Sequence, residues 1–185
     1  MPGTVIKEIA FSCGRRFAVV VYDLLYEQTD CIVNAANSRL SHGGGAAAAI
    51  CDAAGPSFEE ECQAIVREQG PIPVGEAVVT SAGKLRFKGV IHAIGPQMGD
   101  GDEENKIVKA LQSAFGKADG RGWTSLSFPA ISSGIYRVPV GVCARAYTRA
   151  VKEFFEKHPE CSLKTIRLCV FKGRVLDAVK KELGV

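Results

Sequence analysis

The stretch from Cys31 to Gly55 constrains this chain more than any other. Ile32-Val33 reads as the end of a buried strand, Asn34 to His42 as a polar turn, and Ala46 to Ala54 as a helix of strong formers. The order is strand, loop, helix. Gly43, Gly44 and Gly45 stand where the loop meets the helix. Glycine there lets backbone N–H groups approach a bound group with no Cβ in the way. Unpaired N–H groups at the positive end of a helix make an anion site, most often for phosphate. The run is neither a Walker A loop, because no Gly-Lys-Ser/Thr follows, nor the Gly-x-Gly-x-x-Gly dinucleotide fingerprint. A helix start packed closely on a strand would use the same glycines without binding anything.

Asn34 and Asn37 lie three apart in the turn beside this cradle. A carboxamide offers a donor and an acceptor to sugar hydroxyls or to a water; either residue could equally cap the turn through its own backbone. Val33-Asn34-Ala35-Ala36-Asn37 followed by His42-Gly43-Gly44-Gly45-Ala46 resembles the paired signature of the macrodomain, an ADP-ribose-binding module. The resemblance runs from about residue 16 to residue 183. Within the family it is most similar to the macrodomains found in tandem in certain vertebrate poly(ADP-ribose) polymerases and to coronaviral ones that share the His-Gly-Gly-Gly loop.

The 185 residues, 46% hydrophobic and 23% charged, suit one compact domain over 1–185 with a sizeable core. Lys and Arg exceed Asp and Glu by 23 − 20 = 3, which tolerates a small anionic ligand but gives no nucleic-acid-binding stripe. The cysteines are seven, scattered, and without a Cys-x-x-Cys pair, so neither a disulfide framework nor a zinc site is suggested. No apolar signal core or bilayer-spanning run is present. The expectation is a domain with reduced thiols in the cytoplasm or nucleus, with no metal, cofactor or membrane.

Thr4–Ala10 and Arg16–Tyr22 flank a turn at Ser12-Cys13-Gly14 and read as an opening hairpin or neighbouring strands. Asp23 follows the second of them, where a carboxylate can accept a hydrogen bond from an exocyclic amine or simply cap a turn. Pro56 to Gln69 reads as a helix stopped by Gly70-Pro71, with Phe58, Cys62, Ile65 and Val66 as its core face. Glu76–Thr80 and Lys88–Ile94 are short strands, and His92 in the second reads as a structural histidine with no second histidine or acid arranged around it. The acids from Asp100 to Glu104 suit the dipole of a helix over about 105–117 and lack calcium-loop spacing. Thr124 to Phe128 is a strand, and the loop Ser132-Ser133-Gly134 after it is either a plain turn or a second phosphate loop ahead of a helix near Pro139. That helix covers Val140 to Lys157; strand Thr165–Phe171 and a last helix to about Leu183 close the chain. Phe171 is by default a core aromatic.

Alternating strands and helices imply an α/β fold, with ligand at the carboxyl ends of the central strands. The macrodomain resemblance sharpens this to a three-layer α/β/α sandwich with a mixed, about six-stranded central sheet. It places Asp23 and Leu24 at adenine, with Phe171 stacking on it. Asn34, Ala35, His42, Gly43, Gly44, Gly45 and Ala46 line the first loop; Ser132, Ser133, Gly134 and Ile135 form the second, and Tyr136 packs on the distal ribose. It implies hydrolysis of mono-ADP-ribose from acidic side chains, with Asn37 orienting the distal ribose and a water that the substrate's diphosphate helps activate. The partners implied are ADP-ribose and mono-ADP-ribosylated proteins, the alternative being a non-catalytic reader of those proteins. The chain is expected to be monomeric, a module of the kind also found within larger multidomain proteins. One departure stands out: MacroD-type hydrolases carry an Asp after the glycines, and this chain has Ala46-Ala47. No strong general base is therefore supplied there, although branches of the family with small residues at this place include hydrolases.

Overall fold

The computed structural model describes residues 3–185, with the side chain of Cys13 outside that description. Seven segments form its strands, all but the sixth containing β-branched residues: β1 (Thr4–Ala10), β2 (Arg16–Val21), β3 (Cys31–Ala36), β4 (Ala77–Thr80), β5 (Gly89–Ile94), β6 (Ser125–Pro129) and β7 (Thr165–Val170). Five helices separate them: α1 (Gly45–Ala54), α2 (Pro56–Gln69), α3 (Glu103–Gly120), α4 (Val140–Lys157) and α5 (Arg174–Leu183). The strands make one sheet in the order β1-β2-β7-β6-β3-β5-β4. β2, β7, β6, β3 and β5 run parallel, while β1 and β4 close the two edges antiparallel. The sheet thus has seven strands rather than about six. The expected opening hairpin is real, pairing Thr4 with Val21 and Ala10 with Arg16.

Helices cover both faces, which makes a three-layer sandwich. One core gathers Val33, Ile91, Leu126 and Leu168 from the sheet with Phe115 of α3, Tyr147 and Phe154 of α4, and Val179 of α5. The other gathers Val20, Ile32, Val90 and Ile94 with Ile50 and Ala54 of α1 and Phe58 and Cys62 of α2. On this second face α1 packs on β3 and α2 on β4, whereas β6 meets a short 3-10 turn, Leu24–Tyr26. Among the described residues no helix is long and apolar enough to cross a membrane.

Helix ends follow local chemistry. Pro56 opens α2 at a position where its missing N–H costs nothing, and Gly70, at φ 76°, ends it in the left-handed region. α3 begins at Glu103, two residues before the expected start, and its acids behave as a helix start: Glu103 accepts from the Gly99 N–H at 2.8 Å, and such backbone donors hold its carboxyl below the usual range.

Candidate functional site

Each of the five parallel strands delivers a residue to one cleft at its carboxyl end. Asp23 follows β2, Asn37 follows β3, Gly95 follows β5, Ala130 follows β6 and Phe171 follows β7, and all five line a cavity of about 940 Å³. This is where an open parallel sheet places its ligand. The strand order puts Asp23 and Asn37 three strand spacings apart, roughly 14 Å. The cleft is therefore long, with β6 and its following loop across its middle.

The first loop lies over β3. Gly43, Gly44, Gly45 and Ala46 all line the cleft, as do Ala35 and Ala36. Gly45, at φ 58°, takes the left-handed conformation as it opens α1. A Cβ on Gly44 would meet Ile135 Cδ1 at 3.2 Å, so the two loops touch across the cleft. Asn37 lines the same wall, but its carboxamide is spent on its own loop. Nδ2 donates to Ser41 O at 2.8 Å and Ser41 Oγ at 3.0 Å, and Oδ1 accepts from the N–H groups of Ser41 at 3.1 Å and Arg39 at 3.2 Å. The loop-capping use of this asparagine is the one the geometry shows.

The second loop follows β6. Ser132, Ser133, Gly134, Ile135 and Tyr136 line the cleft. Among the described residues no acceptor takes the N–H of any residue from Ser132 through Tyr136, while the loop's own carbonyls take Arg137 N at Gly134 O and Val138 N at Ser132 O, both at 3.0 Å. The loop thus satisfies carbonyls internally and leaves a run of backbone donors free, the composition of an anion-binding nest. Tyr147 Oη donates to Ile131 O at 2.5 Å and Ser133 Oγ to Ala130 O at 2.7 Å, which ties the loop to α4 and to β6. The left-handed residues here are Ser132, at φ 66°, and Arg137, at φ 56°. Gly134 does not need its freedom for a positive φ, and among the described residues no atom would crowd a Cβ there. Gly95 is one cleft residue that sequence reading missed: a Cβ on it would fall 2.3 Å from Ser132 Oγ, a buried hydroxyl without a partner among the described residues. A lone glycine directly after a strand and before Pro96 was the available signal.

Two expected ligand residues are not at the cleft surface. Asn34 is fully buried in β3 on the face of α1 and α2, because β3 alternates and Asn34 falls in step with Ile32 and Ala36. Its Nδ2 lies 3.0 Å from His92 Nδ1. Thr80 Oγ1 donates to Ser81 O at 2.9 Å, so it accepts from His92 Nε2, also at 2.9 Å. His92 is therefore neutral with its proton on Nε2, and Nδ1 accepts from Asn34. His42 likewise turns inward: its ring packs 5.7 Å from Phe58 and 6.3 Å from His92, centroid to centroid, and among the described residues neither ring nitrogen has a partner. His92 is structural as read, but with a second histidine beside it after all. Burial lowers the pKa of His42, partly offset by Glu59, and takes that of His92 down to about 3, helped by the neighbouring His42. His42 holds the glycine loop down on the core.

At the other end, Asp23 caps the turn Leu24–Tyr26, its Oδ1 accepting from Leu25 N at 2.9 Å, and still lines the cleft. Leu24 lines it too, though largely buried. Phe171 is 70% exposed on the rim, not in the core, and Lys172 and Arg174 follow it along the lining. Burial, followed by Asp100, raises the pKa of Tyr136. Among the described residues Asp23 is the sole carboxylate of the lining. Among the described residues no group of His, Cys, Asp or Glu could hold a metal ion, and six cysteines are free thiols.

The family follows from comparison with known proteins. The macro domain model matches residues 33–147, so this chain belongs to the macrodomain family. The chain is similar to an uncharacterised Thermotoga maritima protein, 42% identical over 88% of this chain and 27% of that longer one. It is 41% identical to an O-acetyl-ADP-ribose deacetylase of Escherichia fergusonii, over 77% of this chain and 82% of that one. Among solved structures it resembles the Oceanobacillus iheyensis macrodomain with ADP, at TM-score 0.89 and 27% identity, covering 96% of this chain and 94% of the other. It also resembles the Trypanosoma brucei macrodomain in complex with ADP-ribose, at TM-score 0.80 and 28% identity, covering 91% and 69%.

Proposed function

We propose that the cleft binds ADP-ribose and that the protein hydrolyses esters on its distal ribose, above all the bond to acidic side chains of mono-ADP-ribosylated proteins. The observation that carries this is the pair of loops touching across the cleft through Gly44 and Ile135, with the residues Ser132–Tyr136 that line it keeping their N–H groups unpaired among the described residues. A diphosphate seated there puts adenine toward Asp23 and Phe171 and the second ribose toward Asn37. The T. brucei macrodomain with ADP-ribose supports the ligand, and the E. fergusonii relative's name supports ester hydrolysis on it. An acetyl ester and a glutamyl ester are the same bond to the same sugar, so one arrangement of phosphate and ribose serves both. Release of ADP-ribose over time from a glutamate-modified protein, run beside release of acetate from O-acetyl-ADP-ribose, tests it. No turnover of either ester would refute hydrolysis.

One observation favours a second reading, a module that binds ADP-ribosylated proteins without turnover. The sole carboxylate of the lining among the described residues, Asp23, stands about 14 Å from Asn37, and Asn37 itself is held by Ser41. Tight binding of ADP-ribose with no ester cleavage would establish that reading.

A further inference from the structure

A charge pair with a buried carboxylate and a partly exposed guanidinium lies beneath the adenosine end of the cleft, on the sheet face that meets the 3-10 turn rather than α1 or α2. Glu27 ends that turn, its N–H bonded to Leu24 O at 3.2 Å, and its side chain is only 2% exposed. The carboxylate accepts from Arg167 of β7 through Nε at 2.5 Å and Nη2 at 3.1 Å, and from Ser127 Oγ of β6 at 2.5 Å. Thr29 Oγ1 lies 3.0 Å from the same serine hydroxyl, so the chain leaving the turn is tied down twice. Arg167 is held charged, its pKa raised by Glu27. Cys169, two residues along β7 and on the same face, lines the cleft, so the cluster reaches the cleft floor.

Apolar contacts also hold the turn: Leu24 is in the core, Leu25 packs on it, and the Tyr26 ring lies 6.4 Å from that of Tyr22. Of Leu24, Leu25 and Tyr26 only Leu24 is buried, and Tyr26 is 69% exposed. A buried ion pair costs desolvation that an apolar pair of similar volume would avoid, but a bidentate guanidinium–carboxylate fork fixes direction as apolar contact does not. Asp23 caps the start of this three-residue turn through Oδ1, which leaves Oδ2 for a ligand. The clamp at Glu27 therefore sets where the Asp23 carboxylate points.

We infer that the Glu27–Arg167 pair is the positioning element for base recognition: it aims Asp23 at an exocyclic amine and so makes the cleft select adenine over a base with a carbonyl in that place. This rests on the reading of Asp23 and Phe171 as the adenine end. Neither Glu27 nor Arg167 lines the cleft, so both act through Asp23.

The test is calorimetry with ADP-ribose and its hypoxanthine counterpart, inosine diphosphate ribose. The parent should prefer ADP-ribose by about tenfold or more, since a carboxylate that accepts from an amine opposes a carbonyl. Glu27→Gln and Arg167→Gln should each cut that preference to about threefold or less, while affinity for the hypoxanthine ligand stays within about threefold. In an Asp23→Ala background Glu27→Gln should change neither affinity further, which a merely destabilising change would not reproduce. Either variant, folded by its melting curve, keeping the full preference overturns the proposal. If neither single variant folds, the apolar exchange E27L/R167M supplies the same readout, and a retained preference there also overturns it. A parent that does not prefer adenine removes the Asp23 reading and the clamp with it, whereas a parent that prefers adenine with variants that still do sinks the clamp alone.

Discussion

Removing the titration of His92 should flatten the acid side of this protein's stability curve. His92 is fully buried in β5, and its single ring proton goes to Thr80 while Nδ1 accepts from Asn34. A second proton on Nδ1 would face the Asn34 amide hydrogens, and burial holds the folded pKa at about 3 against an ordinary 6.5. Between those values the unfolded chain binds a proton that the native chain does not. Stability is thus full above about pH 6.5 and falls as the pH drops toward 3, by up to ~1.4 kcal/mol per pH unit. Moving from about pH 7.5 to about pH 5 should cost about 2 kcal/mol through His92, with His42, also lowered, adding a share of the same sign. At this chain length that lowers Tm by roughly 4–8 °C. Urea and thermal unfolding of the parent and of His92→Gln at both pH values measure it. The variant starts less stable, because Thr80 and Asn34 lose a partner, so the comparison is of the two pH differences. An undiminished fall in His92→Gln would refute the reasoning.

Asp23→Ala should weaken ADP-ribose by about 1–3 kcal/mol in calorimetry through loss of a charged acceptor at the base, while leaving ribose 5-phosphate binding as it was. Gly134→Ala should bind ADP-ribose within about threefold of the parent, since no protein atom crowds a Cβ there, whereas Gly134→Glu, which sets a carboxylate against the diphosphate, should lose about tenfold or more; equal affinities would misplace the second loop. Gly83→Ala should destabilise by roughly 2–5 kcal/mol in denaturant melts, from left-handed strain and overlap together, because Gly83 is at φ 56° and its Cβ would lie 2.3 Å from Ala54 O.

Element boundaries were legible where a residue with one physical consequence marks them. Pro56 and Gly70 bracket α2, and Pro139 and Pro159 leave α4 no room beyond Val140–Lys157. The side to which β3 turns each residue was not legible. A strand covered on both faces is apolar at every position, so Cys31-Ile32-Val33 carries no alternation from which the direction of Asn34 could be read. His42 was hidden for a related reason, since a polar loop residue shows nothing of the aromatic floor, Phe58 and His92, that draws it inward. Glu27 sits in Tyr26-Glu27-Gln28-Thr29, which reads as solvated loop, and its partner Arg167 is 140 residues away. The mixed-sheet architecture was legible through the resemblance, and the seventh strand is the edge strand of the opening hairpin.

Asn37 shows how a residue type can be legible while its task is not. The sequence offers a carboxamide beside a glycine loop, and geometry decides what it spends its hydrogens on. Here both amide hydrogens go to Ser41 and the carbonyl takes Arg39 and Ser41, so the side chain closes the segment that leads into His42 and the glycines. His42 then pins the same loop from below on Phe58 and His92. The first loop is fixed at two points by side chains that the sequence offered as ligands, and its backbone is what remains to meet phosphate. On the proposed reading, a ribose hydroxyl at Asn37 would compete with the Ser41 hydroxyl, which would couple the distal sugar to the set of the glycine loop. On the proposed reading, binding of the diphosphate and placement of the ester would then be coupled.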